Sequence, residues 1–238
     1  MQIKHLLLTA SAVTLLAACS ADSQSTEPAE ADTVTSEATE TSTYDNAALE
    51  GIPAGTYALD PTHAYLAVSV DHSGGLSDYF ITFTDYDATI NLDPETLENS
   101  TISVMINPKE IFVNYPADYK EGHADSGFDS WSEDITMNEN WLNAGEYGEI
   151  TFESTSVERT GDSTGSVTGD LTFLGVTKPV TLDVVFRGGT ENSYGPGHII
   201  GFDATTDFKR SDFGNDTYIP MIGDEIELEF SGEFRSEG

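Results

Sequence analysis

The chain has 238 residues, enough for one large or two small domains, and carries 42 Asp and Glu against 9 Lys and Arg. The formal net charge of −33 repels polyphosphate and offers no basic patch for anionic lipid, so the composition excludes nucleic-acid binding. An aromatic content of 10% with 21 glycines favours a β-rich domain over a helical one.

The first 18 residues have the pattern of an export signal. Lys4 gives a short positive start, and the apolar run over residues 6–18 is too brief to span a bilayer. The run leads into Cys19, the single cysteine of the chain, and Leu16-Ala17-Ala18-Cys19 resembles a bacterial lipobox. This resemblance implies a lipoprotein signal peptide over residues 1–18 and acylation of Cys19, which would anchor the chain to a membrane. The alternative is an ordinary secretory signal in which Cys19 is incidental.

The next segment, residues 19–50, is predicted to be a disordered tether. It is rich in Ser and Thr, has eight acidic residues and no Lys or Arg, and offers few side chains to bury. Ser20, rather than Asp, after the cysteine is typical of a lipoprotein sorted to the outer membrane. We therefore expect a protein of the bacterial cell envelope that faces the periplasm.

Residues 51–238 are predicted to be the folded domain, and most of its segments alternate apolar and polar residues. A first strand over residues 55–60 is expected to end at Asp60-Pro61, and a second begins at His63 and ends at His72. Further strands follow over residues 80–83, 88–93, 101–106 and 149–154. Short strands of this kind with short links indicate an antiparallel barrel or sandwich, and the alternation alone does not distinguish the two.

The long irregular stretch over residues 107–148 contains both tryptophans, Trp131 and Trp141, together with many acidic residues. A loop of this length inside a compact domain is usually functional or disordered. One interpretation is a lid whose aromatic side chains close a pocket. The other is a surface loop that a few aromatic side chains pin to the domain.

A hairpin over residues 168–186 is the clearest pattern in the chain. Each of its two strands places apolar residues on one face, and we expect a break over residues 175–179, where glycine and proline occur. Two more strands complete the domain, one over residues 201–210 and one from Gly223 onward, in which inward apolar residues alternate with glutamates.

Three stretches resemble the YceI-like family of lipid-binding envelope proteins. The first is Asp60-Pro61 with His63, His72 and a glycine-rich turn, and the second is the hairpin, with Gly169-Asp170-Leu171-Thr172 before the turn and Lys178-Pro179 after it. The third is Arg210-Ser211-Asp212-Phe213-Gly214. The resemblance implies an all-β, lipocalin-like antiparallel barrel of about eight strands, with a partly helical lid loop.

The resemblance also implies that an isoprenoid tail, such as that of a quinone or an isoprenoid phosphate, lies inside the barrel for storage or transport. No other cofactor is required. Combined with the alternation, it predicts that the interior is lined by Leu66, Val68, Val70, Phe80, Ile102, Val104, Ile106, Phe152, Leu171, Phe173, Leu182, Val184, Phe186, Phe202, Phe208, Leu228 and Phe230.

His72 and Arg210 are the candidate contacts for the head group of the ligand. Arg210 shares the inward parity of its strand, and an inward cation needs a partner, which is either the ligand or a carboxylate such as Asp212. His72 either donates to a head group or caps the core through a backbone carbonyl. We favour the structural role for both residues.

Enzyme and metal functions are not supported by the sequence. It has no Gly-rich phosphate loop and no Gly-x-Ser-x-Gly elbow, its only cysteine is the predicted anchor, and its five histidines are too scattered to suggest a zinc site. We therefore predict a binding protein rather than an enzyme, with an apolar lipid as its partner. The alternative is an acidic β-sandwich that serves in adhesion or as a scaffold, with a packed core and no small-molecule ligand.

Overall fold

Ten strands form one antiparallel sheet, eight of which close into a barrel, in the computed structural model, which describes Leu49 and residues 51–237. The strands are β1 (Gly55–His72), β2 (Ser77–Phe83), β3 (Tyr86–Leu92), β4 (Thr101–Ile106), β5 (Ile111–Phe112), β6 (Ile150–Arg159), β7 (Thr164–Phe173), β8 (Val176–Glu191), β9 (His198–Lys209) and β10 (Ile222–Ser236). The sheet order is β10-β9-β8-β7-β6-β4-β3-β1-β2-β5, and pairing of β10 with β1 closes the ring. β2 pairs with the far half of β1, and β5 pairs with β2, so these two strands form a branch outside the ring. The other eight strands form the ring, which confirms the prediction of an antiparallel eight-stranded barrel.

The first strand is longer than expected. β1 continues through Asp60-Pro61, where a register shift between Leu59 and Ala64 interrupts its pairing with β10. A bulge of this kind accommodates proline, which cannot donate to the ladder. The expected end at Asp60-Pro61 is therefore wrong, and the motif bends one continuous strand.

Asp60 holds the bulge together. Its Oδ1 accepts hydrogen bonds from the backbone N–H and the hydroxyl of Thr62 at 3.1 and 2.7 Å, and its Oδ2 lies 2.7 Å from Nδ1 of His63. The guanidinium of Arg235 on β10 contacts the same Oδ2. Burial alone would raise the pKa of Asp60, but these hydrogen bonds and the charge of Arg235 outweigh it and hold the pKa at about 2.

The central hairpin has a tighter turn than expected. The turn consists of Leu174 and Gly175, both with positive φ, and Val176 already belongs to β8. Pro179 lies within the strand opposite Asp170, so the expected break over residues 175–179 is wrong. β8 pairs with β9 only from Asp183 onward, so the side of β8 that faces β9 has no partner strand near Pro179. The missing N–H of proline therefore costs no ladder hydrogen bond there.

Two short helices lie on the irregular stretch between β5 and β6. They are α1 (Tyr119–His123) and α2 (Trp131–Met137), and neither is long and apolar enough to cross a bilayer. Their N-caps are Asp118 and Ser130, whose side chains accept from backbone N–H groups of the first turn. The hydroxyl of Tyr119 donates to the buried carboxylate of Asp134 at 2.8 Å, which joins the two helices.

Candidate functional site: an apolar barrel cavity with one mouth

A cavity of about 200 Å³ lies inside the barrel. Its wall is almost wholly aliphatic and aromatic, because the alternation along each strand sends these side chains inward. Several inward side chains, including Leu182, Phe202 and Phe230, are only half-buried although they point away from bulk solvent. They are partly accessible because they border a void. The barrel is hollow over part of its length.

Most of the side chains that the sequence assigned to the interior lie along this cavity: Leu66, Ile102, Val104, Ile106, Phe152, Leu171, Leu182, Val184, Phe186, Phe202, Phe208, Leu228 and Phe230. Gly169 shows how closely the wall is fitted around them. A Cβ atom at Gly169 would lie 2.4 Å from the ring of Phe152, so glycine leaves the space that this ring occupies.

Four predicted lining residues lie elsewhere. Phe80 is 60% exposed, because β2 pairs it with Ser69 on the outer face of the barrel, and Phe83 is the buried aromatic residue of that strand. Phe173 is buried beyond the end of the cavity, where Val68 packs beside it in the same cluster. Val70 pairs with Ile226 nearer the same end and does not border the cavity.

Part of the wall comes from residues outside the predicted lining. β3 contributes Tyr86, Ala88, Ile90 and Leu92, and the first turn of the domain contributes Leu49. The alternation over residues 88–92 was visible in the sequence and could have indicated the inward side of β3. Leu49 falls within the predicted tether, but it packs against the core cluster that contains Tyr57, Ile200 and Phe234.

The cavity opens at the turn between β6 and β7. Four of the residues that line the cavity are exposed, and all four belong to this turn or its flanks: Glu158, Arg159, Asp162 and Thr164. Leu97 and Ser100, from the turn between β3 and β4, line the same region. We call this opening, formed by residues 158–166 with Leu97 and Ser100, the mouth.

The opposite end of the barrel is filled. The rings of Phe173 and Phe208 lie 5.7 and 5.4 Å from the ring of Phe213, which is 2% exposed. Leu142, from the long loop, packs onto the same cluster, and so does Leu174 of the β7–β8 turn. We call this the capped end. The cavity therefore has one mouth.

Arg210, a candidate head-group contact, lies at the capped end and is 3% exposed. Its guanidinium donates to the backbone carbonyls of Gly223, Thr217 and Ile222 at 2.7, 2.8 and 2.9 Å, and to the side-chain oxygen of Asn215 at 2.7 Å. Burial lowers its pKa, although the negative charges of Asp224 and Asp216 oppose this. Arg210 ties loops together, through carbonyls rather than the expected carboxylate partner.

Asn215 extends this network to the long loop. Its side-chain N–H groups donate to the carbonyls of Asn140 and Trp141, both at 3.2 Å. His72, the other candidate head-group contact, packs its ring 4.8 Å from that of Tyr79 and does not border the cavity. Neither residue reaches the mouth.

The two tryptophans do not border the cavity either. Trp131 packs among the rings of Tyr115, Tyr119 and His123, with centroid separations of 4.8, 5.1 and 4.6 Å. Trp141 packs 5.7 Å from the ring of Tyr218. The ring of Trp131 also lies 6.4 Å from that of Tyr79, so it packs on β2, whereas Leu142 of the same loop packs on the interior cluster.

One group of side chains within residues 51–237 has the spacing of a metal site. Asp60, His63 and Glu233 offer ligand atoms that lie within 4.8 Å of one another. However, the guanidinium of Arg235 contacts the same oxygen of Asp60 that His63 approaches. This cation already supplies the positive charge that a metal ion would bring, so the group fits a structural role in the bulge.

Comparison with known proteins agrees with this architecture. The model of the YceI-like domain matches residues 57–234. The chain belongs to the YceI-like family. A UPF0312 protein of Ectopseudomonas mendocina is 35% identical over 182 residues, which cover 76% of this chain and 87% of that protein.

Two solved structures share the fold. The YCEI protein of Campylobacter jejuni superposes with a TM-score of 0.55 at 25% identity, covering 68% of this chain and 88% of its own. A polyisoprenoid binding domain from Saccharophagus degradans superposes with a TM-score of 0.52 at 12% identity, covering 77% of this chain and 99% of its own. The second likeness concerns the fold alone.

Proposed function

We propose that this protein is a lipid-anchored envelope protein that binds a long apolar chain in its barrel, for storage or transport, without transforming it. The observation that carries the proposal is the apolar cavity with a single mouth. An isoprenoid tail, such as that of a quinone or isoprenoid phosphate, is the favoured guest. The fold is shared with a domain described as polyisoprenoid binding, which supports this choice.

The size of the cavity constrains how such a guest is held. About 200 Å³ lies below the range of about 300–1,000 Å³ that is typical of ligand sites, while an apolar cavity of about 150 Å³ already holds benzene. A chain of tens of carbons therefore requires movement of wall side chains. We expect Phe202, Phe208 and Phe230 to turn toward the wall when the chain enters.

Burial of the chain supplies the affinity. Each methylene removed from water contributes about 0.8 kcal/mol, so a few isoprene units outweigh the cost of ordering the chain. The wall carries titratable side chains only at Tyr86 and at the mouth, as far as the described residues show. An apolar cavity of this kind favours binding of a ligand over its chemical conversion.

The scaffold alternative required a sandwich with a packed core. The sheet is instead closed by β10 and β1, and a cavity lies within it. Both observations disfavour that alternative.

The anchor would bring the mouth close to a membrane. Cys19, the signal over residues 1–18 and nearly all of the proposed tether lie outside the described residues. The described chain begins at Leu49, which itself lines the cavity. The 29 residues between Cys19 and Leu49 span at most about 100 Å when fully extended, so a tether of this length permits transfer between the cavity and the bilayer.

A pair of substitutions on β8 tests the binding proposal. Leu182 lines the cavity, whereas its neighbour Thr181 is exposed on the outer face. Leu182→Asp places an unpaired carboxylate against the guest and should weaken uptake of an uncharged C20 isoprenoid alcohol at least about 100-fold. Thr181→Asp, the matched control, should change uptake less than about threefold.

Circular dichroism must show that both variants keep their strand content. Normal uptake by folded Leu182→Asp would refute binding inside the barrel.

The anchor is tested separately by Cys19→Ala, which should move the protein from the membrane fraction to the soluble fraction. Retention of the variant in the membrane fraction would refute acylation at Cys19 as the anchor.

A further inference from the structure

We infer that the mouth of the cavity selects a guest with an uncharged head group, bearing a hydroxyl or carbonyl oxygen, over a guest with a phosphorylated one. This inference rests on the proposed function. The apolar wall cannot distinguish one head group from another, so this selectivity must come from the mouth.

The position of the head group follows from the shape of the cavity. The capped end is closed by Phe173, Phe208 and Phe213, and the wall between the two ends is apolar. A polar group buried there without a partner would be strongly disfavoured. An amphipathic guest must therefore enter with its tail toward the capped end and leave its head at the mouth.

One cation faces the head group at this position. Arg159 is the only Lys or Arg among the described residues that line the cavity. Its Nε donates to the carbonyl of Gly161 at 2.8 Å, and its Nη2 donates to the carbonyl of Asp162 at 2.7 Å. Arg159 thus braces the β6–β7 turn. Its Nη1, for which residues 51–237 provide no hydrogen-bond partner, remains able to donate to one oxygen of a guest.

The carboxylates at the mouth outnumber this cation. Glu158 and Asp162 line the same opening and are exposed. The β3–β4 turn, which supplies Leu97 and Ser100, also carries Glu95 and Glu98, both exposed. A phosphate monoester brings a charge of about −1.5 to −2 at neutral pH, which one arginine among several carboxylates does not offset. A hydroxyl or a ring carbonyl accepts a hydrogen bond from Arg159 without this repulsion.

Geranylgeraniol and geranylgeranyl phosphate form a matched pair of probes, because they share one C20 tail and differ in charge. Binding of each to the delipidated full chain is measured in about 20 mM and in about 1 M salt. We expect the alcohol to bind at least about tenfold more tightly at low salt. The ratio should approach one at high salt, where the screening length falls to about 3 Å.

Substitutions then locate the source of the selectivity. Glu158→Gln with Asp162→Asn removes two charges at the mouth and should narrow the low-salt ratio severalfold. Glu225→Gln with Glu229→Gln removes two charges from the exposed face of β10 and serves as the matched control. It should change the ratio less than the mouth variant does, because Glu225 and Glu229 lie farther from the head group and the screening length at about 20 mM salt is roughly 20 Å.

Three results would overturn the inference. The phosphate could bind as tightly as the alcohol at low salt, the ratio could persist in 1 M salt, or both double variants could shift the ratio equally. In the last case the selectivity would come from the net charge of the whole protein. If neither probe bound, the proposed function itself would fail, and this outcome is distinguishable from the other three.

Discussion

The two ends of the barrel are built in different ways. At the capped end, a buried arginine holds several backbone carbonyls, phenylalanine rings fill the interior, and Asn215 ties the long loop to the barrel. At the mouth, the β6–β7 turn is short and exposed, and it is held by backbone hydrogen bonds to Thr164 and by the side chain of Arg159. The comparison indicates that packed side chains and loops close one end of the barrel, whereas the other end leaves the cavity accessible to a ligand.

The largest expected effect concerns the capped end. Arg210→Met leaves the carbonyls of Gly223, Thr217 and Ile222 without their donor and should lower the free energy of unfolding by about 3–5 kcal/mol. Urea denaturation measures this loss. Ligand stoichiometry in the remaining folded protein should be unchanged, because Arg210 does not border the cavity.

Arg187→Met is the matched control for this prediction. Arg187 forms an exposed ion pair with Asp203 at 2.8 Å, so its loss should cost less than about 1 kcal/mol. A folded Arg210→Met variant that no longer bound ligand would contradict the separation of the two ends.

A smaller effect is expected in the wall between the two ends, at the β1 bulge. The pKa of Asp60 lies at about 2 in the folded protein, below its ordinary value of 3.8. Because the folded pKa is depressed, the stabilisation is fully present above about pH 4 and is lost as the pH falls through about 2. Asp60→Asn should therefore lower the free energy of unfolding by about 2 kcal/mol at neutral pH.

The difference between wild type and Asp60→Asn should shrink as the pH falls from 4 to 2. Asp207→Asn, on the exposed part of β9, is the control and should have little effect at any pH. A deficit in Asp60→Asn that stayed constant down to pH 2 would show that the charge of Asp60 does not stabilise the bulge.

The smallest effect is expected in the long loop. Trp131 and Trp141 do not border the cavity, so ligand uptake should change their fluorescence emission little. Trp141→Phe should alter ligand affinity less than about threefold, although it weakens the contact with Tyr218. A large shift in emission on binding would mean that the loop moves with the ligand and acts as a lid.

The alternation of residues predicted much of the cavity wall because side chains in a strand point alternately to its two faces. It failed at Phe80, since the segment Phe80-Ile81-Thr82-Phe83 has an aromatic residue of each parity. Pairing with β1 decides which of the two points inward. The strand boundaries predicted at Pro61 and Pro179 are wrong for a related reason. Pro61 lies in a bulge, and Pro179 lies where one side of β8 is unpaired, and both places tolerate proline.

The position of the mouth could not be predicted from the sequence. Both ends of the barrel carry turns and acidic residues, and the alternation is the same along its whole length. Which end is filled depends on tertiary packing, in particular on Phe213 and Leu142, which come from segments outside the barrel strands. For the same reason, Arg210 had the parity of an interior residue and yet lies away from the cavity.

The most direct test is a crystal structure of the protein purified from its native source. If an alkyl chain occupies the barrel, continuous tubular density should begin beside Arg159 at the mouth, pass Leu182 and Phe230, and end below Phe208. A cavity filled completely by its own side chains, with Phe202 and Phe230 packed across the axis and no space for an alkyl chain, would refute binding inside the barrel.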